Sequence, residues 1–194
     1  MDDDGKLIQQ VRDGDLQSFE TLFHKYKGLV FRTALAITRD ANAAEDILQD
    51  CFLRLHANID RLDGSVPISP WLHRVTVNLA YNVLASRRRV SSPLDFVVET
   101  LTALPSSAPD RLAERLETRD ALRRAIDSLD FRHRVVVILF YLSDFSLEEI
   151  AYILDCPVGT VKSRLHYARN KLRSQLAGEL TEAGITYGLA EFSI

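Results

Sequence analysis

The stretch over residues 146–173, SLEEIAYILDCPVGTVKSRLHYARNKLR, constrains the fold more tightly than any other part of the chain. Ser146 with Glu149 three residues later makes a capping-box start. Leu147, Ile150, Ala151 and Leu154 follow at helical spacing, which predicts a helix over 147–154. Asp155-Cys156-Pro157 ends it, because proline lacks an amide donor and disfavours helix in the residue before it. A second helix restarts near Val158 or Gly159. At about 100° per residue, Val158, Val161, Leu165, Ala168 and Leu172 share an apolar arc about 80° wide, and Lys162, Ser163, His166, Asn170 and Arg173 lie opposite. Two short helices joined by a tight turn, the second burying one stripe and presenting donors and cations on the other, make a helix-turn-helix. Its outer residues suit base edges and phosphates.

Such a helix sits oddly with a net charge of −3 over 194 residues until the charge is taken in segments. Residues 1–60 carry 7 Lys/Arg against 11 Asp/Glu, whereas residues 61–89 carry 5 against 1. Residues 90–155 then sum to −5, residues 156–173 to +5 and residues 174–194 to −3. Charges are felt over about 8 Å at physiological salt, so two basic islands in an acidic background imply two DNA-contacting surfaces. At 46% hydrophobic and 26% charged, the chain has enough apolar residues for one or two small packed domains. No run of about 18 apolar residues occurs, and the N-terminus, MDDDGKLIQQ, is acidic where a signal peptide is basic then apolar. A cytoplasmic protein with no direct membrane insertion is expected. Cys51 and Cys156 are too few and too far apart for a disulfide framework or a metal site, and both are expected to be buried small apolar residues.

Ahead of the helix-turn-helix the apolar positions keep a helical period almost throughout. Leu16, Phe19, Leu22, Phe23, Tyr26, Leu29, Val30, Ala34 and Ile37 predict one long helix over 15–38. A short one around 7–12 precedes it, with Gly14 as its end and Asp15 as the next N-cap. A third helix, 41–58, buries Ala44, Ile47, Leu48, Cys51, Leu55 and, just past its end, Ile59. Its other side shows Asp46, Gln49, Asp50 and Leu53, a large apolar residue in an acidic patch and so a candidate docking surface for a basic partner.

The Gly-, Pro- and Ser-bearing segment 60–69 reads as a loop, and Pro70 suits the first turn of a helix over 70–89. Trp71, Leu72, Val75, Leu79, Val83 and Leu84 form its inner side, leaving His73, Arg74, Asn78, Tyr81, Asn82 and Arg87-Arg88-Arg89 available elsewhere. Aromatic, amide and cationic side chains along one helix supply stacking planes, donors for base edges and charges for a single-stranded backbone. Residues 90–108, bounded by Ser-Pro and Pro-Ser-Ser, read as a flexible linker. Helices are predicted again over 110–128 and, capped by Asp130, over 132–141, where the β-branching of VVVILF also fits a strand but the flanks favour helix. The expected fold is all-α, with two small helical domains, 1–89 and 109–177, joined by the linker and followed by a tail, 178–194, of no assigned role.

Together these motifs resemble one family. PVGTVKSRLHYARNKLR is similar to the last helix of bacterial extracytoplasmic-function RNA polymerase sigma factors, within the sigma-70 family. AAEDILQDCFLRLH resembles that family's core-polymerase-binding helix, and PWLHRVTVNLAYNVLASRRR resembles its promoter-melting helix. They occur in the family's order, with the linker between its second and fourth conserved regions, and the resemblance covers about 19–89 and 122–176. It implies a transcription initiation factor that binds RNA polymerase core, at the β′ clamp and β flap, and directs it to promoter DNA. On that resemblance Asp46, Gln49, Asp50, Leu53 and Arg54 meet the clamp. Arg61, Trp71, Arg74, Asn78, Asn82, Arg87 and Arg88 meet the opened minus-10 element, with 60–69 as the loop that accepts a flipped base. Thr160, Lys162, Ser163, Arg164, His166, Arg169 and Arg173 meet the minus-35 element. The chain departs from the family at Pro67-Ile68-Ser69-Pro70, where a more helical entry is usual, and a reshaped base pocket is expected there. The resemblance also implies an anti-sigma factor partner.

Two other classes compete. A dimeric helix-turn-helix operator-binding regulator shares the recognition helix but leaves the second basic helix without a task. An enzyme would have to draw on His56, His73, Asp46 and Asp50. The chain has no HExxH, no GxSxG and no phosphate-binding glycine loop, and its histidines stand singly, so no catalysis, metal or cofactor is expected.

Overall fold

The computed structural model describes residues 3–90 and 121–182, without the side chains of 88–90 and 178–182. Residues 91–108 of the expected linker, and 110–120 of the helix expected over 110–128, lie outside the described residues. The fold is all-α: α1 (Asp3–Arg12), α2 (Leu16–Thr38), α3 (Ala41–Asn58), α4 (Ser69–Val90), α5 (121–127), α6 (Phe131–Val137), α7 (Leu147–Leu154) and α8 (Val158–Glu182). A 3-10 turn, Ile59–Arg61, follows α3, and a π turn, Ile138–Leu142, extends α6.

Local chemistry sets the ends of these helices. Gly14, at φ 93°, takes the left-handed step that lets the Asp15 N–H reach the Gln10 carbonyl at 2.9 Å, closing α1. The Asp15 carboxylate then opens α2 by accepting from the Gln17 N–H at 2.9 Å. Arg39 ends α2 in the left-handed region, and Asp40 caps α3 through the Ala43 N–H. Helix α1 begins at Asp3, earlier than the expected 7–12, because Asp4 contributes to packing: its buried carboxylate accepts from Lys25 Nζ and from the Tyr26 hydroxyl on α2.

The first half buries Leu22, Val30 and Ile37 of α2 against Ile47, Cys51 and Leu55 of α3 and Leu72 of α4, with Ile8 of α1 closing one end. Each such side chain contributes about 1.5–3 kcal/mol on leaving water. The second half packs α6 and its π turn against α7 and α8 through Val135, Leu139, Ile150, Ile153, Val161 and Leu165. The consecutive apolar residues Val135 to Leu139 are all buried, since this segment meets α8 on one side and α2 on another. A helix covered on several sides has no need of a polar stripe, which is why the run looked strand-like in sequence.

The two halves also meet. Helix α4 lies against α7, α2 touches α6 and the π turn, and the apolar cluster runs through both. Here the structure corrects the reading of His73 as an available side chain of α4. His73 is 1% exposed, lies edge-on to Phe145 with ring centroids 4.5 Å apart, and bonds the Ser69 carbonyl from Nδ1 at 2.9 Å. Its Nε2 has no hydrogen-bond partner. Cys51 is buried as expected, its thiol pushed up to about 11 by desolvation, whereas Cys156 is only partly buried beside Arg164.

Burial lowers the pKa of His73 from the ordinary 6.5, outweighing the opposing bond to Ser69. The folded chain therefore holds His73 neutral, and as pH falls through 6.5 the unfolded chain takes up the proton first, so stability present at higher pH is lost. Urea midpoints measured from about pH 7.5 down to about pH 5 are expected to decline below about 6.5, and His73→Phe is expected to flatten that decline.

Candidate nucleic-acid and polymerase interface

The helix-turn-helix is built by backbone bonding at each joint. Ser146 Oγ accepts from the Glu149 N–H at 3.2 Å while the Glu149 carboxylate accepts from the Ser146 N–H at 2.9 Å, the reciprocal cap that the spacing predicts. At the other end Asp155 adopts φ 50°, and the Cys156 N–H bonds the Ala151 carbonyl at 3.1 Å. The turn thus has a left-handed residue as well as a proline, and aspartate is one of the few non-glycine residues that accept that conformation readily. The Pro157 carbonyl accepts from Thr160 and Val161, starting α8, which runs on to Glu182 and takes in residues 178–182 of the expected tail.

Along α8, Val161, Leu165 and Ala168 are buried, while Lys162, Ser163, His166 and Arg173 are exposed. Asn170 and His166 pair at 3.0 Å on the outer face, and the Ser163 hydroxyl donates to the Thr160 carbonyl. Thr160 is half-buried. Arg164 and Arg169 flank the buried stripe: Arg164 approaches Cys156 Sγ at 3.9 Å, and Arg169 donates to the Tyr141 hydroxyl at 2.8 Å with its guanidinium over the Phe140 and Tyr141 rings. The residues that the resemblance assigns to the minus-35 element thus form an open central group and two arginines seated along its edges.

On α4, Asn78 and Asn82 are exposed and Trp71 is half-buried. Arg87 pairs with Asp40, whose carboxyl is held below the usual range by the Ala43 N–H and then by Arg87. The side chain of Arg88 lies outside the described residues. The loop ahead of α4 is braced rather than loose: Arg12 donates to the Ile59 and Leu62 carbonyls, Asp63 accepts from the Ser65 N–H, and Ile68 is buried. It frames a cavity of about 640 Å³ lined by Arg61, Val66, Pro67 and Trp71. The opposite wall was not foreseen, for it consists of Glu148, Glu149 and Tyr152 of α7. Arg74 also turns toward α7, its Nη2 lying 3.3 Å from the Asp155 carboxylate.

On α3, Asp46, Gln49, Asp50, Leu53 and Arg54 are all exposed, Leu53 at 68%, on the side away from buried Ile47, Cys51 and Leu55. A second apolar surface escaped the sequence reading. Leu122, Ile126, Tyr141, Leu142, Leu172 and Leu176 line a groove of about 230 Å³ between α5, the π turn and α8. In the π turn, closed by the Ser143 N–H on the Ile138 carbonyl, Tyr141 and Leu142 are exposed, and Leu122 on α5 is exposed as well. His56, packed edge-on to Phe19, and buried His73 form no site with Asp46 and Asp50.

An acidic helix with an exposed leucine, an aromatic and amide-bearing helix beside a loop pocket, and a helix-turn-helix with a cationic outer face define a bipartite DNA-reading protein with a protein-docking surface. Residues 22–90 match the family model for Sigma-70 region 2, and residues 119–172 match that for Sigma-70, region 4. The chain is 31% identical over 178 residues to the ECF RNA polymerase sigma factor SigW of Bacillus subtilis, covering 88% of this chain and 95% of that protein. It is 33% identical over 182 residues to the ECF RNA polymerase sigma-E factor of Escherichia coli K12, covering 89% and 94%. Its fold is similar to that of CnrH in complex with the cytosolic domain of CnrY, with a TM-score of 0.67 at 23% identity over 90% of this chain and 97% of that one. The sigma factor RpoE of Bartonella quintana, in complex with the anti-sigma factor NepR, gives a TM-score of 0.66 at 25% identity over 83% and 98%. The chain belongs to the ECF family of RNA polymerase sigma factors, transcription initiation factors that bind core polymerase and direct it to promoters. These likenesses favour that function over a dimeric operator-binding regulator.

Ser146→Ala removes the reciprocal cap of α7 and is expected to lower stability by about 1 kcal/mol, read as a reduced thermal midpoint, whereas Ser146→Asp is expected to recover most of it.

Proposed function

We propose that four surfaces of this sigma factor divide the work of initiation. Asp46, Gln49, Asp50, Leu53 and Arg54 on α3 dock the β′ clamp, and the leucine-lined groove beside α8 receives an apolar segment of the β flap. Trp71, Asn78, Asn82 and the 60–69 loop hold the opened minus-10 strand, while Arg61, Arg74, Arg87 and Arg88 meet its phosphates. Thr160, Lys162, Ser163, Arg164, His166, Arg169 and Arg173 read the minus-35 element. The observation that supports this most is Leu53, 68% exposed among acidic residues on a helix whose other face is sealed. An apolar group on the same exposed side as Asp46 and Asp50 suits a partner surface with a hydrophobic pocket bordered by basic residues.

Energetics fit a divided reader. Phosphate contacts give affinity that falls steeply with salt, and base contacts add about 1–3 kcal/mol of discrimination per position. Unstacking a base costs free energy that is offset when the base enters a pocket. Two weak readers, residues 1–89 and 109–177, gain from effective concentration once polymerase holds both. The factor acts in the cytoplasm by binding, without catalysis or cofactor, and an anti-sigma factor is its regulatory partner, as with the neighbouring structure solved with one. Among the described residues no helix is long and apolar enough to cross a membrane.

Asp50→Lys and Leu53→Glu are each expected to weaken core-polymerase capture by about tenfold or more with helicity retained, and undiminished capture by both would remove α3 from the interface. Lys162→Ala is expected to weaken promoter binding by a similar factor across sequences and to lower the slope of log affinity against log salt by about 1.

A further inference from the structure

Helix α1 lies ahead of the segment that matches Sigma-70 region 2, residues 22–90, yet it is fastened to the loop that precedes α4. Arg12 donates from Nε to the Ile59 carbonyl at 3.0 Å and from Nη2 to the Leu62 carbonyl. Two turns back Gly5 is buried, and Gly64 of the loop lies against it, so that a Cβ on Gly64 would stand 3.4 Å from the Gly5 Cα. Between these two points the buried Ile8 reaches the wall of the cavity that the loop frames with Trp71. Gly5, Ile8 and Arg12 recur at helical spacing and share one face of α1, which is the face laid along the loop. The helix is in turn pinned to α2: the Asp4 carboxylate accepts from Lys25 and Tyr26, and the Ser18 hydroxyl donates to Gln10 Oε1 at 2.8 Å.

One guanidinium that reaches two carbonyls three residues apart fixes their separation, because its donors are held in a single planar fork. Those carbonyls bracket the 3-10 turn from which the loop departs, so their spacing sets where Arg61, Val66 and Pro67 stand relative to Trp71. Pro67 and Pro70 carry no N–H, which removes two donors with which the loop could hold itself, and bracing from α1 takes their place. We propose that α1 is a strut for the base-accepting loop and that Arg12 is its positioning residue, so that the choice of a minus-10 base depends on a side chain standing behind the pocket. This rests on the minus-10 reading of that loop. The force path runs from the packed core through α2 to α1 and from α1 to the loop, and Arg12 is its last link.

The test uses the full chain with core polymerase, transcribing a library of promoters randomised over the minus-10 and minus-35 elements and read by sequencing. Base preference at each position is a ratio between promoters transcribed by the same protein, so a variant that is merely less stable leaves it unchanged. Arg12→Gln and Arg12→Lys are each expected to lower the preference at one minus-10 position, the same for both, by about fivefold or more and to leave the minus-35 preferences as they were. Lysine keeps the charge without the fork, so its failure to rescue separates positioning from charge. Gly64→Val, which wedges the loop away from Gly5 with Arg12 intact, is expected to disturb the same position. Rescue by Arg12→Lys would overturn the proposal, and a fall of about 1 in the slope of log affinity against log salt for Arg12→Gln would make Arg12 a phosphate contact instead. Equal losses at the minus-35 positions would overturn it too. Trp71→Ala tests the minus-10 assignment itself. Altered minus-10 preference with Trp71→Ala but with none of the Arg12 and Gly64 variants would overturn the strut alone, and no alteration with any of the four would overturn both.

Discussion

Helix α4 has one circumference to spend on two incompatible demands, burial and recognition. Leu72, Thr76, Leu79 and Ala80 are sealed in the interior, where Thr76 donates to the Leu72 carbonyl at 2.8 Å and approaches Cys51 Sγ at 3.8 Å. That packing fixes the rotation of the helix about its axis, since turning it would expose apolar surface and leave buried polar atoms without partners. Everything on the remaining arc is aimed as a consequence. Asn78 and Asn82 point outward because their neighbours Leu79 and Ala80 point in.

The ends of helices do comparable work for the loops. Asp40 accepts from the first turn of α3 and also holds Arg87 near the end of α4, so one carboxylate ties the start of the acidic helix to the basic end of its neighbour. Arg12, at the end of α1, donates to two carbonyls of the 59–62 turn and so braces the cavity beside Trp71 from behind. Such bracing spares any ligand of the cavity the cost of ordering a loose loop at the moment of binding, which would subtract from affinity.

Features closed within a few residues were legible in the sequence: the Ser146 and Glu149 cap, the Gly14-Asp15 junction, the proline turn before α8 and the acidic side of α3 all follow from local rules. What could not be read there depends on partners far along the chain. No periodicity pairs His73 with Phe145 or Arg74 with Asp155, because which faces of two helical modules meet is decided by their joint packing. Likewise no local rule pairs Asp4 with Lys25 and Tyr26, which lie more than twenty residues along the chain and enclose its carboxylate. Leu122, an apolar position of α5, lies 43% exposed beside the π turn at residues 138–142, and nothing local in the sequence marks it as uncovered.

That π turn has a mutational consequence. A π turn holds one residue more than the α repeat accommodates, so losing a single residue within Ile138–Leu142 restores ordinary winding and swings the following side chains by about 100°. Tyr141, which accepts from Arg169, and Leu142, which lines the groove, are the side chains such a change would move. A one-residue insertion or deletion at this point would therefore reset one wall of the groove, while Leu122, Leu172 and Leu176 keep their places on α5 and α8.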